Sequence, residues 1–154
     1  MRLTTFTDYG LRALMRLATD PQRAFSTAEL ADEFQVSRNH LAKVIAALSA
    51  AGFIETRRGG GGGAVLARPA DQITIGDAVR LLERGQSLVE CFQADGGGCV
   101  LTPRCHLKGM LAAAEEAFLA ELDRRKLSDC VLDPIVGDGG FPTANRAANA
   151  PGDG

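Results

Sequence analysis

Residues 26–67, STAELADEFQVSRNHLAKVIAALSAAGFIETRRGGGGGAVLA, constrain the chain more than any other stretch. Ser26-Thr27-Ala28-Glu29 reads as a capping box, in which the serine caps the third helical amide and the glutamate reaches back. The helix it opens runs to about Phe34, with Leu30, Ala31 and Phe34 apolar. Gln35-Val36-Ser37 is too short for anything but a tight turn, and Ser37 is placed to cap the next helix. That helix spans Arg38 to Ala50, with Leu41, Val44, Ile45 and Leu48 at helical spacing. Gly52 sits where a helix C-terminus calls for a left-handed residue. Two helices joined by a three-residue turn form a helix-turn-helix pattern.

The residues after this third helix sharpen the pattern. Phe53-Ile54-Glu55-Thr56 reads as a strand and Ala64-Val65-Leu66-Ala67 as its partner. Between them lie Arg57, Arg58 and five glycines, Gly59 to Gly63. A hairpin with a basic, glycine-rich tip directly after the third helix is a wing. Glycines let the backbone approach a phosphate or enter a narrow groove without side-chain clash. The competing reading is a loop that is merely flexible; the two arginines at its base favour the wing.

A recognition helix presents its N-terminal side chains to base edges, here Ser37, Arg38, Asn39, His40 and Lys43. Arginine and asparagine can make bidentate contacts with guanine and adenine edges. Lys43, Arg57 and Arg58 suit phosphates or the minor groove. Each alone could be an ordinary solvated residue; as a set on a winged helix-turn-helix they predict binding to double-stranded operator DNA. Net charge is only −2, but it is unevenly spread. Residues 1–70 carry nine Lys/Arg against six Asp/Glu, and residues 71–154 carry eight against thirteen. A net of +3 followed by −5 suggests different partners for the two parts.

Around this centre the rest of the chain is mostly helical. Thr7-Asp8-Tyr9-Gly10 leads into a helix with Leu11, Leu14, Met15 and Ala18 on one side, ended by Asp20-Pro21. Taken alone, Asp8 reads as an N-terminal cap. Another helix begins at 73–77 (Ile-Thr-Ile-Gly-Asp) and runs to about Arg84. From His106 to about Lys126 an alanine-rich helix carries Leu107, Leu111, Ala114, Phe118 and Leu122 at spacings of three and four. It is a candidate dimerisation helix, with packing onto its own domain as the alternative. The N-terminal residues have arginines spread among them and no long apolar block, which predicts neither a secretory signal nor a membrane span and so a cytoplasmic protein.

Three of the four cysteines fall in CFQADGGGCVLTPRC, with Cys91, Cys99 and Cys105 at Cys-x7-Cys-x5-Cys spacing. In a reducing compartment a disulfide framework is the weaker reading. The spacing is not that of a zinc ribbon or a thioredoxin-like pair. Three thiolates on a glycine-rich loop can fold around something larger than one ion, and an iron–sulfur cluster commonly takes thiolates. A thiol-only redox switch and zinc rank behind it. A four-iron cluster needs a fourth ligand: Asp95, His106, Cys130 or a residue of another subunit. Cys130, beside Val131 and Leu132, reads as a small core residue. The expected organisation is mainly α. Residues 1–70 form a winged helix-turn-helix DNA-binding domain, 71–133 a cluster-binding loop and dimerisation helix, and 134–154 a disordered tail without periodicity.

These pieces together resemble a known family, the bacterial winged-helix iron–sulfur repressors that include NsrR and IscR. The matching residues are MRLTTFTDYGLRAL, SRNHLAKVIAALSAAGFIETRRGGGGG, ITIGDAVRLLE and the three cysteines, covering residues 1 to about 133. The phrase NHLAKVIAALSAAGFIETRRG is most similar to the nitric-oxide-sensing, NsrR-type branch. That resemblance implies a homodimeric repressor with a [4Fe-4S] cluster on Cys91, Cys99 and Cys105, with [2Fe-2S] as the alternative. It implies Asp8 of the partner subunit as the fourth ligand. It also implies that nitric oxide breaks the Asp8 bond, shifts the recognition helices and lowers operator affinity. In the IscR branch a histidine lies three residues after the last cysteine; here that position is Lys108, and His106 directly follows Cys105. An IscR-type regulator responding to cluster or oxidant status is the alternative. A cluster-transferring enzyme or scaffold is the reading from another class, and no nucleophile–base pair speaks for it.

Overall fold

The computed structural model describes residues 2–132, which form five α-helices and a two-stranded hairpin. The order is α1 (Thr5–Thr19), α2 (Thr27–Phe34), α3 (Arg38–Ala50), β1 (Ile54–Arg57), β2 (Gly63–Leu66), α4 (Ile75–Leu82) and α5 (His106–Asp123). The expected tail at 134–154 lies outside the described residues.

Local chemistry explains the boundaries. The Thr4 hydroxyl accepts from the Thr7 amide at 3.2 Å and opens α1, so Asp8 lies within the first turn and is not the cap. Ser26 caps α2 by accepting from the Glu29 amide at 3.1 Å. The other half of the expected capping box is absent, because the Glu29 carboxylate pairs with Arg23 instead. Gln35 ends α2 in the left-handed conformation at φ 54°, and its N–H donates to the Asp32 carbonyl at 3.2 Å. Gly52 takes the left-handed position after α3 with φ 73°. The Ser37 side chain makes no cap bond, contrary to expectation; only its backbone enters α3.

Leu14 and Leu17 of α1, Leu30 of α2, and Leu41, Val44 and Leu48 of α3 form the centre of the core. Each such side chain contributes about 1.5–3 kcal/mol through burial. Phe25 is fully buried between α1 and the hairpin, with the Arg16 and Arg23 guanidinium carbons 4.3 and 4.5 Å from its ring centroid. Arg16 is held in turn by Glu33 of α2 at 2.8 Å. The strands β1 and β2 pair antiparallel, Ile54 opposite Leu66 and Arg57 opposite Gly63. Phe25 and Ala64 exchange backbone hydrogen bonds of 3.0 and 2.8 Å, which ties the hairpin to the segment before α2. Gly63 has to be glycine there: a Cβ would lie 2.5 Å from the Phe25 carbonyl carbon.

The same core takes in Ile73, Ala78 and Leu82 of the α4 region and Leu127 beyond α5. Helix α4 lies between α1 and α5. Gly10 of α1 faces Leu82 so closely that a Cβ would sit 2.5 Å from it. Gly76 of α4 lies against Asp123 of α5, whose carboxylate receives both terminal nitrogens of Arg80. Helix α5 stops at Asp123, three residues short of the expected end. The chain then turns back onto α4: Ile75 donates to the Arg125 carbonyl and Leu127 to the Ile73 carbonyl, both at 2.9 Å. Leu127 is thereby fully buried. No residue of α5 itself is buried.

Candidate nucleic-acid interface and cysteine loop

Helix α3 divides cleanly by its periodicity. Leu41, Val44, Ile45 and Leu48 are buried, and Ser37, Arg38, Asn39, His40 and Lys43 are all exposed. The first turn of α3 holds no carboxylate. With no side-chain cap, its leading amides and the Ser37 hydroxyl are left for an outside acceptor. Arg38, Lys43 and Arg58 form no ion pair among the described residues. Arg57 has only a 3.7 Å contact with Glu55, both strongly exposed, which is worth little in water.

The wing is less loose than five glycines suggest. The Gly62 amide donates to the Gly59 carbonyl at 2.9 Å, and a Cβ on Gly62 would lie 2.3 Å from the Arg57 carbonyl oxygen. Gly59 and Gly61 have positive φ, 106° and 82°. Gly60 alone of the five has neither a positive φ nor any atom within 4 Å of its Cβ position. The tract is thus a specified turn at the base of which Arg57 and Arg58 stand exposed.

The cysteine loop comes after α4. Cys91 lies in a 3-10 turn, Glu90–Phe92, and Cys105 at the N-cap of α5, where a thiolate meets the positive end of the helix dipole. Cys99 lies between them, in irregular backbone. All four cysteines are free and half-buried. Gly96 and Gly97 make the loop's left-handed turn. The Asp95 carboxylate accepts from the Gly97 amide and that of Glu90 from the Gly98 amide, both at 3.0 Å, so Asp95 serves its own loop. His106 begins α5 and is exposed. The Cys130 thiol contacts the Lys126 carbonyl at 3.8 Å and is not enclosed in the core.

Among the described residues, no three His, Cys, Asp or Glu side chains stand close enough to hold a metal ion. The loop therefore supplies the ligand types of an iron–sulfur group without gathering them in the isolated chain. One further detail fits such a group: the Thr102 hydroxyl, between Cys99 and Cys105, is enclosed with no hydrogen-bond partner. A thiolate or sulfide beside it would accept that proton. Asp8 lies far along the chain, on α1, with its side chain about half exposed and paired to Arg12 at 2.8 Å. Val100 and Leu101 on the loop and Leu107 and Met110 at the start of α5 are exposed apolar side chains.

The Rrf2 family, described as iron-dependent transcriptional regulators, matches residues 3–133. The chain belongs to the Rrf2 family. Solved Rrf2-like structures share the fold. T. potens IscR superposes with a TM-score of 0.67 at 25% identity, covering 84% of this chain and 85% of that one. Staphylococcus aureus CymR gives 0.66 at 27% identity, covering 85% of this chain and all of that one. CymR of B. subtilis, the global cysteine regulator of that organism, gives 0.61 at 28%, covering 84% and 95%. As an Rrf2 regulator the chain is a DNA-binding transcription factor with a winged-helix fold, as its α3 and hairpin anticipate. No described helix is long and apolar enough to cross a membrane.

Sequence reasoning missed the contacts that bind α4 to its neighbours: Gly10 on Leu82, Gly76 on Asp123, and Glu83 on Thr4 and Thr7. Only the Thr4 cap had a local signal, a threonine ahead of an apolar helical run.

Proposed function

We propose that this Rrf2 protein is a homodimeric repressor of the NsrR type, which releases its operator when nitric oxide reaches an iron–sulfur group. The observation that carries the DNA-binding part of the reading is the α3 face: five exposed polar side chains, no carboxylate in the first turn, and a basic wing beside them; the sensing part rests on Cys91, Cys99 and Cys105 sharing one loop. Ser37, Arg38, Asn39 and His40 would face base edges, Arg38 and Asn39 able to make bidentate contacts; Lys43, Arg57 and Arg58 would hold phosphates or the minor groove. Cys91, Cys99 and Cys105 would hold the group, [4Fe-4S] by preference, with Asp8 of the partner subunit as fourth ligand and His106 as the rival. When bound, such a group supplies iron able to react with nitric oxide.

The residues of the chain would supply the rest. The exposed apolar side chains Val100, Leu101, Leu107 and Met110 and the unburied α5 are what a second copy would cover. Two recognition helices read two half-sites only when their spacing matches the DNA repeat. Asp8 is exposed enough to reach a neighbouring subunit, and Arg12 waits four residues on to pair with it once released. Position in a reducing cytoplasm would keep the thiols available.

A thiol-based regulator without iron is the second reading. It is favoured by the three free, half-exposed cysteines that are not gathered in the isolated chain. Staphylococcus aureus CymR, 28% identical with a TM-score of 0.66, has been solved in an oxidised form.

An anaerobic nitric oxide titration of the iron-reconstituted protein separates the two, with visible absorption and operator band shift tracked in one sample. Bleaching in step with loss of binding is expected. A protein that stays colourless and iron-free, and loses binding only on oxidation, would favour the thiol reading.

A further inference from the structure

We propose that Glu83 is a positioning residue: it clamps the first turn of α1, which carries Asp8, to the root of the cysteine loop. The proposal rests on the reading of Asp8 as a ligand supplied to the partner subunit.

One carboxylate oxygen, Glu83 Oε1, gathers three donors from α1. It accepts from the Thr4 amide at 2.8 Å, from the Thr4 hydroxyl at 2.9 Å and from the Thr7 hydroxyl. Thr7 is the one polar residue that is fully buried among those described. Thr4 is the cap of α1, and the Asp8 amide donates to the Thr4 carbonyl at 3.0 Å. The clamp therefore fixes the turn on which Asp8 stands. At its other end Glu83 is the C-cap of α4. The chain from Glu83 passes through Gly85, at φ 83°, to Cys91 within eight residues.

Packing secures only part of this turn: Phe6 leans on the core, while Leu3 and Thr4 line open space. A cavity of about 520 Å³ opens beside the turn, lined by Leu3, Thr4, Val79, Glu83, Leu88 and Leu119 among others. With open space on that side, the three hydrogen bonds add to the hold that Phe6 and the buried Thr7 give the α1 start. Below the clamp the contacts are tight: Gly10 rides on Leu82, and α1 packs onto α3. A rigid core transmits small displacements rather than absorbing them. A pull on Asp8 thus reaches both the cysteine loop, through Glu83, and the recognition helix, through α1.

The test uses the full-length homodimer in iron-free and iron-reconstituted forms. Hydrogen exchange of residues 2–14 in the iron-free protein reads the clamp itself. Charge-assisted bonds to a carboxylate are strong, so Glu83→Ala should speed exchange there by about tenfold or more. Iron content and visible absorption of reconstituted Glu83→Ala should match wild type, since Glu83 is not a ligand. The ratio of operator Kd between iron-free and iron-loaded protein should fall by about fivefold or more. Glu83→Gln, which keeps an acceptor oxygen, should restore part of that ratio. A residue that only stabilised the fold would weaken both forms equally and leave the ratio alone.

Exchange at the wild-type rate, or an unchanged ratio in Glu83→Ala, overturns the proposal. Should Glu83→Ala lose its helical circular dichroism, Thr7→Val, which removes one donor at nearly constant volume, carries the test. If Asp8→Ala abolishes the ratio and Glu83→Ala does not, the clamp fails while the ligand reading stands. If wild type takes up no iron, the ligand reading fails and the coupling role with it, and the exchange arm still shows whether the clamp exists.

Discussion

Replacing Gly63 by alanine puts a Cβ 2.5 Å from both the carbonyl carbon and the oxygen of Phe25, and 2.9 Å from the Ser26 nitrogen. All three are backbone atoms, so no side-chain rotation relieves the clash. The hairpin has to move away from Phe25 and give up the reciprocal bonds between Phe25 and Ala64. Two backbone hydrogen bonds are worth about 1 kcal/mol each, and the residual crowding adds about 1–2 kcal/mol, for a loss of about 3–4 kcal/mol. Gly60 belongs to the same tract but has no positive φ and nothing within 4 Å of its Cβ position. Gly60→Ala should therefore be neutral or stabilise by about 0.4–1 kcal/mol, through the unfolded chain alone. Urea unfolding monitored by circular dichroism, with m-values compared, reads both. A Gly63→Ala protein within about 0.5 kcal/mol of wild type, or equal losses at the two positions, would refute the reasoning.

Four further outcomes are expected. Phe25→Ala removes a fully buried ring flanked by two guanidinium groups and should cost about 3–5 kcal/mol in the same unfolding assay. Lys43→Ala or Arg58→Ala should weaken operator and unrelated DNA alike and lower the salt slope by about one, as a titration of Kd against salt shows. Arg38→Ala should instead lose about 1–3 kcal/mol of discrimination at one base pair. Asp123 is held below the ordinary carboxylate range, chiefly by the hydrogen bond from Arg80. The unfolded chain then binds the proton more readily, so this contact's stabilisation is complete above the ordinary aspartate value of about 3.9 and is lost as pH falls through the lower folded value. Unfolding curves from about pH 6 down to about pH 3 should lose that acid-side component in Asp123→Asn.

The helix-turn-helix was legible because its information is local. Apolar spacing in α3, a serine before α2 and Gly52 after α3 each act within a few residues, and the bounds of α2 and α3 come from them. The polar face of α3 was legible for the same reason, since a helix that buries Leu41, Val44, Ile45 and Leu48 has to expose Asn39 and Lys43 on its opposite side. Reading failed where a side chain had a distant competitor. Glu29 turned to Arg23 rather than to its own helix cap, and α5 ended early because Arg125 and Leu127 found partners at Ile73–Ile75.

The sequence by itself determined that this chain has a winged helix-turn-helix with a basic tip and a three-thiol loop. Periodicity, caps and residue type are properties of neighbours along the chain, and neighbours are visible in one dimension. Only the tertiary structure decided which glycines of the wing are obligatory, that α4 is wedged between α1 and α5, and that Glu83 holds the turn carrying Asp8 across 76 to 79 residues. The physical reason is range: a Cβ clash and a shared carboxylate depend on where folding brings atoms together, and no spacing rule encodes a contact between residues so far apart.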